Sequence, residues 1–172
     1  MKCVIIAAGK GERLQEKGTS KPLVNFLGLP LIERTIRTAK KAGANEFFVV
    51  TGHEKDPLEA ILKKLSEDTG LVIHTIYNSE WENGANGFSV LSVKDKIKEP
   101  FLLLMSDHLF DPSIVRNLFS QSNKSDVVLA IDTKIKKPIS KLIVYNDVRD
   151  CEIVIGIDLE TDEVKVNAKQ IG

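Results

Sequence analysis

Several short stretches of this chain are apolar at nearly every position, and they alternate with stretches whose apolar residues recur at helical spacing. Residues 2–7, Phe47–Val50, Leu71–Ile76, Phe101–Met105 and Val127–Ile131 are the strand-like runs. A strand with one wet face alternates polar and apolar residues, whereas a strand covered on both faces need not. Between the runs, Pro30 opens a helix with Leu31, Ile32, Ile36 and Ala39 on one face, and Gly43 ends it. Asp56 as N-cap and Pro57 in the first turn start a second helix, with Leu58, Ile61, Leu62 and Leu65 as its stripe. A short helix is expected near Phe88–Val93. Pro112 opens another, carrying Ile114, Val115, Leu118 and Phe119, with Asp111 before it as the N-cap. The pattern predicts an α/β fold, a Rossmann-like, mostly parallel sheet with helices on both faces.

After residue 133 the pattern changes. Lys134–Lys137 is a charged connector, and Leu142–Tyr145, Glu152–Ile157 and Glu163–Ile171 read as strands separated by turns. They predict a small antiparallel C-terminal extension of the sheet. At 172 residues the chain is expected to be one domain, 1–172. Its 24 basic and 24 acidic side chains balance, which argues against a general nucleic-acid surface. The two cysteines, Cys3 and Cys151, lack metal-ligand or redox-motif spacing. No segment is long enough to span a bilayer, and the first apolar run is too short for a signal peptide. A cytoplasmic location is the default expectation. The abundance of Lys and Glu fits a thermophilic source.

In open parallel sheets, ligands sit beyond the carboxyl ends of the strands. Three strand ends, Ala8-Gly9, Thr51-Gly52 and Ser106-Asp107, are therefore expected at one cleft. The first leads into Gly9-Lys10-Gly11-Glu12-Arg13-Leu14, with Lys21-Pro22-Leu23 shortly after. A Walker loop and a Rossmann fingerprint both fail at Leu14, where each requires a glycine. What remains is A-A-G-x-G-x-R-L followed by K-P. Backbone N–H groups of such a loop can wrap a triphosphate. Arg13 offers a planar fork for phosphate oxygens, Lys21 a point charge, and Lys10 a further cation.

Together with Gly28-Leu29-Pro30-Leu31-Ile32, these motifs resemble the nucleotidyltransferases related to the GT-A glycosyltransferase fold, over the region to about residue 132. Members join a nucleoside triphosphate to a phosphorylated sugar, polyol or alcohol and release pyrophosphate. Asn78-Ser79-Glu80-Trp81-Glu82-Asn83-Gly84-Ala85-Asn86-Gly87-Phe88-Ser89 is similar to the cytidylyltransferase branch. Met105-Ser106-Asp107-His108 resembles the inositol-1-phosphate cytidylyltransferases in particular. Those are often the soluble half of a bifunctional protein whose membrane half makes di-myo-inositol phosphate phosphate, a solute of heat-loving microbes. Choline-phosphate and sugar-1-phosphate relatives share most of the same residues.

The resemblance implies roles. Ala7, Ala8 and Gly9 would approach the nucleotide by backbone, and Gly11 and Arg13 would hold the triphosphate. Lys21 would stabilise charge on the α-phosphate, so that Arg13, Lys21 and Asp107 form the expected catalytic set. Thr51 and Gly52 would lie near the base, and Asn86, Gly87 and Ser89 would contact the nucleoside or close over it. Asp107, a hard carboxylate after a buried strand, suits Mg²⁺, which takes oxygen ligands and bridges to phosphates. His108 either orients Asp107, touches the acceptor or is simply exposed. His53 and His74 read as structural, and Trp81 as packing or as acceptor-pocket lining.

The implied partners are CTP and a small phosphorylated polyol or alcohol, with fusion to or association with a membrane synthase domain. Family members usually add a second aspartate after a segment much like Val164–Ile171. Asp158 and Asp162 sit near a turn and match no motif, so the expectation is a chain truncated at its C-terminus and short of a second metal ligand. Transfer to another small phosphate is one alternative. A nucleotide-binding module that keeps the loop without chemistry is another. A Rossmann oxidoreductase is disfavoured by Leu14.

Overall fold

The computed structural model describes residues 1–11, 20–82, 86–121, 128, 130, 142–146, 151–158 and 163–170. They fall into two compact units, Met1–Ser120 and Gln121–Gly172.

In the first unit, β1 (Lys2–Ile6) is followed by a single 3-10 turn (Lys21–Leu23) and a minimal hairpin, β2 (Asn25–Phe26) and β3 (Leu29–Pro30). Then come α1 (Leu31–Lys41), β4 (Glu46–Thr51), α2 (Lys55–Thr69), β5 (Val72–Tyr77), α3 (Asn86–Leu91), β6 (Phe101–Met105) and α4 (Pro112–Gln121). β1, β4, β5 and β6 form a parallel sheet in the order β5-β4-β1-β6. β1 is central: Ile5 stands between Val49 of β4 and Leu104 of β6.

Pleating sends alternate residues of β1 to opposite faces. Cys3, Ile5 and Ala7 join Phe47 and Val49 against Ile32, Ile36 and Ala39 of α1, Leu58, Leu62 and Leu65 of α2 and Val115 of α4. Val4 and Ala8 join Phe48 and Val50 against Val93 and Ile97, which follow α3. Cys3, Val4 and Ile5 are wholly buried. Both faces of β1 are thus dry, which is why its sequence shows no polar alternation. The helices divide as right-handed crossovers require. α1 and α2 carry the chain from β1 to β5 along one face, and α3 brings it back across the other.

Helix ends differ from expectation in two places, and the first is α3, which spans Asn86–Leu91 where a helix near Phe88–Val93 was expected. α2 begins at Lys55 with Glu54 as N-cap in the left-handed region (φ 48°), so Asp56 lies inside the first turn. Pro57 is tolerated there because the first turn's N–H groups lack intrahelical acceptors. At α4 the expected cap is present: the Ser113 amide donates to Asp111 Oδ1 at 2.8 Å. Hydrogen bonds from Ser113 hold the Asp111 carboxyl below its ordinary pKa.

The hairpin was not expected. Leu27 (φ 49°) and Gly28 (φ 83°) make its tip, and Arg34 of α1 donates to the carbonyls of Phe26 and Leu27 while its guanidinium lies over the Phe26 ring.

The second unit contains β7 (Leu142–Asn146), β8 (Cys151–Asp158) and β9 (Glu163–Gln170), an antiparallel sheet in the order β7-β8-β9. The strands lie where expected, but among the described residues they form a sheet of their own. Antiparallel neighbours satisfy one another's backbone groups through the hydrogen bonds they share. The expected strand over 127–131 and the connector at 134–137 lie almost wholly outside the described residues. Of these, Val128 and Ala130 are described, and neither is in a strand. No helix among the described residues is long and apolar enough to cross a membrane.

Candidate active site

The strand order places a switch point between β1 and β6, where the chain runs away from β1 on opposite sides. Crevices form at the carboxyl ends of such strands. Three strand ends are fastened together there. The Ser106 amide donates to Ile6 O at 3.1 Å, the Ala7 amide to Val50 O at 2.9 Å and the His53 amide to Ala8 O at 3.0 Å. The expected meeting of Ala8-Gly9, Thr51-Gly52 and Ser106-Asp107 at one edge is therefore observed.

From β1 the chain passes through buried Ala7 and Ala8 to exposed Gly9 and Lys10. Gly11 has a φ of +66°, a region that L side chains rarely adopt, and a β-carbon there would lie 2.9 Å from Lys21 Cβ. Glycine is needed at this position on both counts. Arg13, the expected triphosphate fork, lies outside the described residues.

Lys21 starts the 3-10 turn, which the Leu23 amide closes on Ser20 O at 2.8 Å and which buried Pro22 anchors. Its ammonium forms an ion pair with Asp107 Oδ2 in the turn after β6. The Asp107 side chain is 19% exposed and that of Lys21 33%. Asp107 Oδ1 is buried and has no hydrogen-bond partner. His108 Nε2 is 3.8 Å from it, beyond hydrogen-bond reach, on a largely exposed ring. Beneath this turn lies Thr35 of α1, fully buried. Its hydroxyl is 3.1 Å from Leu31 O, 3.4 Å from Ser106 O and 3.5 Å from His108 O. It is thus within donating reach of both carbonyls that flank Asp107.

At the end of β4, the Thr51 hydroxyl donates to Glu59 Oε1 at 2.7 Å and is turned toward α2. Gly52 is packed so tightly that a β-carbon would meet Ala8 O and Trp81 Cβ, each at 2.6 Å. Trp81 also lies near His53, with ring centroids 5.1 Å apart. Ser89 is buried and accepts from Asn78 Nδ2 at 3.1 Å, while Asn78 Oδ1 accepts from the Glu80 amide at 3.0 Å. Gly87 is buried and Asn86 exposed; residues 83–85 between this turn and α3 are not described. The structure therefore gathers Ala7, Ala8, Gly9, Gly11, Thr51, Gly52, Lys21 and Asp107 around the switch point. The Asn78–Ser89 bond ties the asparagine-rich loop to α3.

Two features were not read from the sequence. Thr35 is a polar break in the apolar stripe of α1, a signal visible in hindsight. The seat of Trp81 on Gly52 depends on two elements that only the fold brings together. Among the described residues, no three His, Cys, Asp or Glu side chains come together to hold a metal ion. Asp107 offers a single carboxylate whose buried Oδ1 lacks a donor, and that fits one oxygen contact to a hard cation. The site thus combines an anion-seeking lysine, an exposed glycine backbone and an acceptor-rich carboxylate, a set suited to phosphate chemistry.

By sequence and fold the chain groups with the nucleotidyltransferases. The chain belongs to the MobA-like NTP transferase domain family, whose profile matches residues 3–152. It is 38% identical over 131 residues to the "Bifunctional IPC transferase and DIPP synthase" of Rubrobacter xylanophilus, covering 76% of this chain and 28% of that protein. To the protein of the same name from Archaeoglobus fulgidus it is 35% identical over 115 residues, covering 67% and 22%. The chain thus spans only about a quarter of the length of these relatives. The inositol-1-phosphate CTP transferase from T. maritima shares the fold, with a TM-score of 0.59 at 24% identity over 67% of this chain and 46% of that one.

Proposed function

We propose that this chain transfers the cytidylyl group of CTP to inositol 1-phosphate, giving CDP-inositol and pyrophosphate. The observation that carries the reading is the pairing of Lys21 with Asp107 at the switch point, where exposed Gly9 and Lys10 follow β1. The names of the two bifunctional relatives and of the T. maritima enzyme support the choice of substrates. We read the second activity in the relatives' name as that of a synthase domain fused to or associated with this one.

In the reaction, a phosphate oxygen of the acceptor attacks the α-phosphorus of CTP. The bond from that phosphorus to the oxygen bridging to the β-phosphate breaks, and its electron pair leaves on pyrophosphate. The acceptor oxygen is already anionic, so no strong general base is required. The barrier lies in bringing anion to anion, and positioning and electrostatics dominate. Backbone N–H groups of the Gly9–Gly11 turn and the Arg13 guanidinium hold the triphosphate. Lys21 places its ammonium on the α-phosphate as charge builds. Ala7 and Ala8 keep the backbone low enough for the nucleotide to approach. Thr51 and Gly52 bound the base side; with the Thr51 hydroxyl held by Glu59, their contribution comes from the backbone. Asn86, Gly87 and Ser89 flank the nucleoside. Mg²⁺, when held by Asp107, would neutralise phosphate charge and fix the phosphate oxygens.

Pyrophosphate release tests this reading. CTP, UTP, GTP and ATP are each paired with inositol 1-phosphate, choline phosphate and glucose 1-phosphate. Release is expected with CTP and inositol 1-phosphate. Turnover with another pair would reassign the substrates. Tight nucleotide binding without any turnover would make the chain a binding module.

A further inference from the structure

Lys21 and Asp107 have separate tasks in the proposed reaction, yet here they are bound to each other. A lysine whose ammonium rests on Asp107 Oδ2 is not on a phosphate. A carboxylate that holds an ammonium presents a divalent cation with a second positive charge a few ångströms away. The two cations repel, and little solvent screens them, since Asp107 is four-fifths buried. We propose that Lys21 is the internal counter-ion of the metal carboxylate: in the ligand-free protein it occupies Asp107, and a divalent cation gains the site only when Lys21 leaves.

This inference rests on the assignment of Asp107 as the metal carboxylate. Three observations carry it beyond that assignment. Gly11 leaves no room for a β-carbon beside Lys21 Cβ, so the root of the lysine lies close against the glycine turn while its outer methylenes and ammonium extend beyond it. The 3-10 turn and buried Pro22 hold the backbone from the other side. Asp107 Oδ1 keeps its lone pairs unused while Oδ2 is taken, so the carboxylate is half prepared for a cation and half blocked. Neither Nε2 of His108, 3.8 Å from Oδ1, nor any described carboxylate cluster supplies a substitute. In the exchange each member of the broken pair gains a new partner. An arriving triphosphate gives Lys21 a stronger anionic partner, and the vacated carboxylate takes the divalent ion. Metal and nucleotide therefore bind with positive coupling, each weakly by itself.

The test is a titration of the ligand-free, full chain with Mn²⁺ alone, followed by the loss of the free-ion paramagnetic resonance signal. Lys21→Met keeps the length of the side chain and removes its charge; Lys21→Gln serves as a second variant. Lys10→Met, which removes an exposed charge from the same mouth, reports the general field. The expected result is Mn²⁺ affinity about tenfold higher in both Lys21 variants, within the usual range for coupled sites, and changed less than twofold in Lys10→Met. Asp107→Asn should abolish the gain when combined with Lys21→Met. Unchanged or weaker binding in the Lys21 variants would overturn the proposal, as would an equal gain in Lys10→Met or a gain that survives Asp107→Asn. No turnover is involved, so the titration decides the counter-ion role even if pyrophosphate release fails. If release succeeds and the titration is flat, the function stands and the counter-ion role falls.

Discussion

Gly11 and Lys21 touch so closely that a β-carbon on the glycine would lie 2.9 Å from Cβ of the lysine. The root of the cation thus lies against the glycine turn, while its tip reaches Asp107. Gly11→Ala should therefore do two things at once. It forces an L side chain into the left-handed region, at about 1–2 kcal/mol, and it pushes Lys21 away from the mouth. Turnover is expected to fall about a hundredfold, the loss usual for a misplaced site group, with the melting temperature only modestly lowered. Gly9→Ala is the comparison, since nothing lies within 4 Å of a β-carbon there. Equal behaviour of the two variants in pyrophosphate release would remove Gly11 from the positioning of Lys21.

Lys21→Ala and Asp107→Ala should each lower turnover by about two to three orders of magnitude, as the loss of a group that meets developing charge does. Circular dichroism and thermal melts should show both variants folded, because each side chain keeps some exposure at the sheet edge. Near-wild-type rates in either would sink the assignment.

Thr35→Val keeps the shape of a buried residue and deletes the hydroxyl beneath the Asp107 turn. Losing this donor from a buried site should destabilise the fold by about 1–3 kcal/mol in urea unfolding. Thr35→Ser should recover most of that loss. If valine and threonine are equally stable, the hydroxyl's contacts to Ser106 O and His108 O are incidental.

Gly52→Ala would drive a methyl group into Ala8 O and the root of Trp81. Overpacking of this kind costs about 1–3 kcal/mol. Trp81 is the chain's one tryptophan, so its fluorescence should shift along with the unfolding midpoint. An unshifted spectrum would show that the two residues part easily.

The Asp111 cap predicts a pH effect with a definite sign. Hydrogen bonds from Ser113 hold the carboxyl's pKa below its ordinary value in the folded state. Its contribution is present above the unfolded pKa and is lost as pH falls through the folded one. Asp111→Asn, which still caps but does not titrate, should flatten this part of the acid limb of a melting-temperature profile. A limb identical to wild type would assign the acid sensitivity to other carboxylates.

Elements buried on both faces were the most legible in the sequence. Val4–Ile6 and Phe47–Val50 are strands because nothing polar can be accommodated there; Phe101–Met105 was legible from its unbroken apolar run, although only Leu102 is buried. Their common edge followed from the alternation with helices. The Asp111-Pro112 start of α4 was equally plain, since capping is local chemistry. The hairpin over Asn25–Pro30 was hidden because its strands are two residues long and Leu27 is a poor residue for positive φ; Arg34, eight residues beyond Phe26, makes the turn hold. Glu54 displaced Asp56 as the cap of α2 because the chain leaves Gly52 in a tight left-handed bend. The meeting of Lys21 with Asp107 and the seat of Trp81 on Gly52 are tertiary facts. No spacing along one chain could have announced them.

The central place of β1 also bears on how the molecule is made. β1 leaves the ribosome before both of its neighbours: it pairs with β4 on one side, but its other partner, β6, is synthesised only after most of the unit has emerged. Until then one edge of an apolar strand stands open, and contacts this distant in sequence form slowly. The Ser106 amide reaches Ile6 only when β6 has docked, so the turn that carries Asp107 is completed last. The nascent chain should therefore acquire its glycine turn early and its carboxylate late, and an unfinished chain would have no working site.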